Sequence, residues 1–134
     1  MMSDFNKVIL MGRLTQKPEL RYTTGGDPVA TLNVASSYQY RSRDGEDRED
    51  TCFVDVVVWR RQAETCTEYL VKGQRVLVEG RLTLRRWETA QGEKRRTYEI
   101  QASRVIFLEK PRGAAAEAPP PAELEEEEGE DVPF

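Results

Sequence analysis

The sequence predicts an all-β protein with one short helix: a five-stranded barrel followed by a disordered acidic C-terminal tail. Three observations carry this expectation. Five stretches between Phe5 and Glu109 are dense in β-branched, aliphatic and aromatic residues and are bounded by Gly, Pro and Asp turn signals. One segment, RRQAETCTEYLVKG, changes to a helical period. After Lys110, PRGAAAEAPPPAELEEEEGEDVPF offers little to pack and much to repel, the composition of an unfolded chain. The division therefore falls at residue 110, with a folded domain over 1–110 and a linker and tail over 111–134.

In chain order, FNKVILMGRL is a strand, with Gly12 expected at a bulge or bend. QKPE and LRYTT follow, and GGDP marks a turn. PVATLNVASSYQYR is a long Thr- and Val-rich strand, and RSRDGEDRED is a polar hairpin loop around Asp44 and Gly45. TCFVDVVVW is the third barrel strand. In the helix, Ala63, Cys66, Thr67 and Leu70 share one face, and Lys72 and Gly73 are expected to close it as a basic last turn and C′ glycine. QRVLVEGRLTLRRW and TYEIQASRVIFLE, separated by the turn ETAQGEKRR, complete an otherwise antiparallel set. A barrel with Greek-key wiring uses this order and removes most exposed edges. A flat sheet backed by the helix is the competitor, but long glycine-bent strands suit curvature.

Charge is unevenly placed. All 20 Lys and Arg lie before residue 113, whereas 8 of the 24 Asp and Glu lie in 117–131. The body, with 20 cations against 16 acids, stands near +4, and the tail near −8. A basic domain with an acidic appendage points to a polyanionic partner for the body. The absence of histidine removes His-based triads and most zinc sites. No GxxxxGK[ST] phosphate loop is present, and the body's acids cluster only in 41–50, where solvation is the simpler account than metal catalysis. The chain is therefore read as a non-enzyme with no cofactor and no metal. Cys52 and Cys66 are read as a reduced cytosolic pair, so the expected location is cytoplasmic. No stretch approaches a membrane span, and the N-terminus, with a four-residue apolar run and Asp4, does not match a signal peptide.

Strand parity sorts the faces. In TCFVDVVVW the even row of Cys52, Val54, Val56 and Val58 is expected in the core. The odd row of Thr51, Phe53, Asp55, Val57 and Trp59 is expected to see water, although it holds two large rings. In the strand from Arg75, Val76, Val78, Gly80, Leu82 and Leu84 form the apolar row, and Trp87 shares the other with Arg75, Arg81 and Arg85. Rings interleaved with fixed positive charge suit single-stranded nucleic acid: rings stack on unpaired bases and guanidiniums neutralise phosphates. For any one residue, packing under a loop or a neighbouring subunit is as good an account. Two strands sharing the pattern favour the nucleic-acid reading. Parity puts Tyr38 and Tyr40 on the core row, and a bulge between Val34 and Tyr40 is one way to turn them out.

NKVILMGRL, PELRY, AETCTEYLVKGQRVLVEGRL, RRW and the terminal DVPF, in this order, resemble the bacterial single-stranded DNA-binding protein family over residues 5–110 plus the last few. The resemblance implies an OB-fold barrel and usually a homotetramer that wraps DNA. It implies base stacking by Tyr40, Phe53, Trp59 and Trp87, and basic contacts by Arg61, Lys72 and Arg86. Arg13, Arg21, Arg81 and Arg85 join them from charge alone. Dimer contact along Lys7 to Arg13 is also implied; otherwise that strand is simply internal. Two positions that are often Trp in the family are Tyr40 and Phe53 here, and the five acids of 41–50 leave that loop's part in holding DNA open.

The terminal Phe134 combines a ring with a carboxylate, which an apolar pocket rimmed by Lys or Arg can capture. By the resemblance, Asp131, Val132, Pro133 and Phe134 contact enzymes of DNA replication, recombination and repair. The expected function is sequence-nonspecific coating of single-stranded DNA with recruitment through the tip. The alternatives are a primosome component or a single-stranded RNA-binding paralogue.

Overall fold

A computed structural model of the chain describes residues 2–111; the tail beyond, with Asp131, Val132, Pro133 and Phe134, lies outside the described residues. The elements are β1 (Val8–Leu14), β2 (Leu20–Tyr22), β3 (Pro28–Arg41), β4 (Asp47–Trp59), α1 (Arg60–Tyr69), β5 (Arg75–Glu88) and β6 (Lys94–Phe107). Alternation builds the interior. Ala30, Leu32 and Val34 of β3 lie opposite Val58, Val56 and Val54 of β4, and β5 adds Val76 and Val78. Leu14, Ile100, Val105 and one face of α1 complete the core.

The strand order β1-β5-β6-β4-β3-β2 closes on itself because β1 also pairs with β3, which excludes the flat sheet. Five strands form the barrel, and LRY adds a short sixth, β2, along β3. At Arg13 the chain is paired on both sides, to Arg75 and to Ala35. The expected all-antiparallel pairing fails at one junction: β4 meets β6 in parallel, at Val56↔Ile100 and Val57↔Gln101. The connection through α1 carries the chain from β4 past one strand position into β5. The strand that hairpins back between them, β6, therefore runs the same way as β4.

β1 keeps an unbroken register with β5 through Gly12, so the bulge expected there is absent; Gly12 serves close approach instead. A Cβ there would meet Ala35 O at 2.5 Å, and one on Gly80 would meet Gln101 O at 2.2 Å. The irregularity lies at Glu79/Gly80, where Ser103 of β6 is the extra residue and its hydroxyl donates to Glu79 O at 2.9 Å. This bulge shifts the parity of β6, so Ile100 and Val105 can both face inward.

α1 buries Gln62, Ala63 and Cys66, with Leu70 just beyond its last turn. Thr67 is only partly buried and its hydroxyl donates back to the carbonyls of Ala63 and Glu64. The helix stops at Tyr69, so Lys72 and Gly73 do not form its last turn and C′ position as expected. Leu70 turns to extended backbone to enter the core, and Gly73, at φ 84°, serves the turn into β5. The cation at the helix C-terminus is Lys17, which donates to the carbonyls of Thr67 and Leu70. No helix among the described residues is long and apolar enough to cross a membrane.

Replacing Gly80 with Ala forces a Cβ against backbone rather than a yielding side chain. The expected loss is about 1–3 kcal/mol, measured as a lower urea midpoint for unfolding.

Candidate nucleic-acid interface

Two hairpins outgrow the barrel. The β3–β4 ladder keeps one register from Val29↔Trp59 to Arg41↔Asp47, although β1 reaches β3 only at Val34 and Ala35. Likewise β5 and β6 stay paired out to Glu88↔Lys94, past the last β1 partner at Gly80. Each forms a two-stranded arm whose faces both meet solvent. Cys52 and Leu82, expected in the core, are exposed: their rows are correct, but both lie past the strand pairs that β1 reaches, although Ile100, paired with Leu82, is still buried beside β4. Tyr38 and Tyr40 are exposed for the same reason, with no bulge needed.

Directly paired residues share a face, so the registers define one continuous outer surface. It carries Phe53 and Trp59 from β4, Gln101, Glu99 and Arg95 from β6, and Arg81, Arg85 and Trp87 from β5. Phe53 stands 73% exposed and Trp87 41%. Val57, expected to see water, is only 5% exposed, because Thr31 and Gln101 flank it across the sheet.

A chain of contacts links the two indoles. Trp59 Nε1 donates to Gln101 Oε1 at 2.9 Å, and Gln101 Nε2 donates to Glu99 Oε1 at 3.3 Å. Glu99 Oε2 lies 4.0 Å from Arg85 Nε, and the Arg85 guanidinium sits 4.7 Å over the Trp87 ring. Glu99, whose side chain is only 12% exposed, thereby holds a cation beside one ring while Gln101 orients the other. Pattern reading missed Gln101 and Glu99. Their signal was position: both occur on the outward row of β6, level with Arg81 and Thr83.

The remaining predicted residues separate from this surface. Tyr40 is on the opposite face of the first arm, stacked on Tyr38 with ring centroids 6.0 Å apart and planes 20° from parallel. Arg86, opposite Arg96, is on the opposite face of the second arm from Trp87. Arg61 lies in the first turn of α1 and Lys72 in the turn before β5, both exposed. Of the residues added from charge, Arg13 donates to Gly73 O at 3.0 Å and Arg21 to Thr31 Oγ1 at 3.0 Å.

The arms differ in charge. Residues 85–96 hold five cations against two acids, whereas 41–50 hold three cations against five acids. Within 41–50, Arg48 is engaged by Asp44 and Glu46, and Arg41 by Asp47. The Ser42 hydroxyl, then the Glu46 backbone N–H, hold the Asp44 carboxyl below its ordinary value. That tip stays anionic at neutral pH, and the turn loses this support only as acid protonates Asp44. Among the described residues, no group of three or more His, Cys, Asp or Glu is arranged to hold a metal ion.

Residues 5–108 match the model of the single-strand binding protein family. The chain is 44% identical over 128 residues to the single-stranded DNA-binding protein of Thermotoga maritima, covering 95% of this chain and 91% of that one. It is 43% identical to single-stranded DNA-binding protein A of Bacillus subtilis, covering 83% of this chain and 63% of that one. Among solved structures, the Plasmodium falciparum protein in complex with single-stranded DNA superposes with TM-score 0.73 at 32% identity, covering 81% of this chain and 99% of that one.

The two indoles differ in access: Trp87 is exposed, and Trp59 is half-buried with its N–H engaged. Iodide is expected to quench Trp59→Phe, which retains Trp87, more than Trp87→Phe, as measured by Stern–Volmer slopes. Proximity of Arg85 to Trp87 increases the contrast for an anionic quencher.

Proposed function

Since the chain belongs to the single-strand binding protein family, we propose that it coats single-stranded DNA without sequence preference and performs no catalysis of its own. The observation that carries this reading is the outer surface on which Phe53, Trp59 and Trp87 alternate with Arg81 and Arg85. Rings offer every base the same π-face, and cations meet a backbone common to all sequences. A duplex keeps its bases stacked on each other and cannot use the rings. Similarity to a structure solved with single-stranded DNA supports the same partner.

In this reading Phe53, Trp59 and Trp87 stack bases, and Arg81 and Arg85 neutralise phosphates. Tyr40 and Arg86 serve a strand that has passed over an arm's edge, and Arg61 and Lys72 serve one that continues past α1. Such a path around the barrel is consistent with wrapping on a homotetramer. Ile9 and Met11, exposed on the outward row of β1, support pairing of copies through that strand. The acidic tip Asp131, Val132, Pro133 and Phe134 recruits enzymes of replication, recombination and repair. Phe134 fills an apolar pocket while its carboxylate and the preceding acids meet a basic rim.

Titration with poly(dT) is expected to quench the tryptophan emission strongly, with affinity falling as salt rises and far weaker binding to duplex. Equal affinity for duplex, or no quenching, overturns the reading. Trp87→Ala is expected to cost about 1–3 kcal/mol of binding. Deleting Phe134 is expected to leave poly(dT) affinity intact while abolishing capture of a repair helicase in a pull-down with purified proteins.

A further inference from the structure

We infer that Tyr38 is a further base-stacking residue, forming with Tyr40 a second aromatic platform on the face of the first arm opposite Phe53. The inference rests on the single-stranded DNA reading above. Ring packing and exposure carry it. Tyr38 is 70% exposed against 39% for Tyr40, so the more open ring of the stacked pair is Tyr38. A base arriving on this face and laid on the solvent side of Tyr38 continues a stack already begun. The platform is stiff for an arm lying outside the barrel. Its strands keep an unbroken register, and the Ser37 and Thr51 hydroxyls are 3.1 Å apart across them on the other face.

The surrounding charge defines what the platform can hold. Tyr38 lies opposite Asp50, and Tyr40 opposite Arg48, whose guanidinium is engaged by Asp44 and Glu46. Carboxylates there repel phosphates, so the nucleotide is held through its base with its phosphate turned away. Contacts on the Arg85 side release counterions; this one does not. Loss of Tyr38 therefore weakens binding without changing its salt dependence.

The test uses the full chain, Tyr38→Ala and Tyr38→Phe, with oligothymidines of graded length and poly(dT) at several salt concentrations. Tyr38→Ala is expected to weaken binding to the longer strands by at least about fivefold, with the slope of log affinity against log salt unchanged. Tyr38→Phe is expected to bind as the parent does, since the ring is retained. Photocrosslinking of the unmodified chain to 5-iodouracil-substituted DNA, read by peptide mass spectrometry, is expected to mark Tyr38. Parental affinity of Tyr38→Ala at every length, or no adduct at Tyr38, overturns the inference while leaving the DNA reading intact. A change in oligomer mass or melting temperature that accounts for the loss assigns the ring to packing and also overturns it. If the parent chain fails to bind poly(dT), the broader reading falls first.

Discussion

Closure of the barrel depends on two close backbone approaches, of β1 to β3 at Gly12 and of β5 to β6 at Gly80. Gly12 leaves room against Ala35, and Gly80 leaves room against Gln101. Arg13 then pairs with both β5 and β3. Any Cβ at either glycine would meet backbone oxygen, which cannot rotate away. Without that closure the sheet would keep two open edges, and the core beneath α1 would lose one wall. The Ser103 bulge adds the local twist that brings β6 round, and the same step returns Val105 to the interior.

The barrel in turn anchors what it does not contain. Trp59 ends β4 at the barrel, and Trp87 sits far out on the second arm, yet Gln101, Glu99 and Arg85 connect them. Gln101 is the hinge of that connection, because it lies where β4 and β6 meet and opposite Arg81. A carboxylate on a basic surface looks unfavourable for a polyanion partner. Here it orients a guanidinium over an indole, and a geometry fixed in advance leaves less to order in any contact made there.

Much of this was legible in the sequence, for identifiable reasons. The limits of β3 and the polarity of Phe53, Trp87 and their arginines followed from period-two alternation. Alternation reports which row a residue occupies, but not where the core along that row stops. Cys52, Leu82, Tyr38 and Tyr40 were on the correct row and beyond its end. The parallel β4–β6 junction and the Ser103 bulge depend on non-local pairing, which no single strand encodes. The helix ends earlier than its sequence suggests because Gly73 signals a turn, and the turn belongs to β5. Gln101 and Glu99 resembled ordinary strand polars until the register set them between two tryptophans.

Beyond Ala35 on the first arm and beyond Leu82↔Ile100 on the second, the ribbons hold none of the buried cluster that keeps the barrel folded. Substitutions there change contact chemistry with little penalty to the interior. Tyr40 and the acids of 41–50 lie on such a ribbon, outside the packed interior. A lineage can thus alter grip, reach and electrostatic character by drift in the ribbons while selection holds the glycine-closed cylinder constant. Diversity among such proteins should collect at the hairpin ends and thin out toward Gly12 and Gly80.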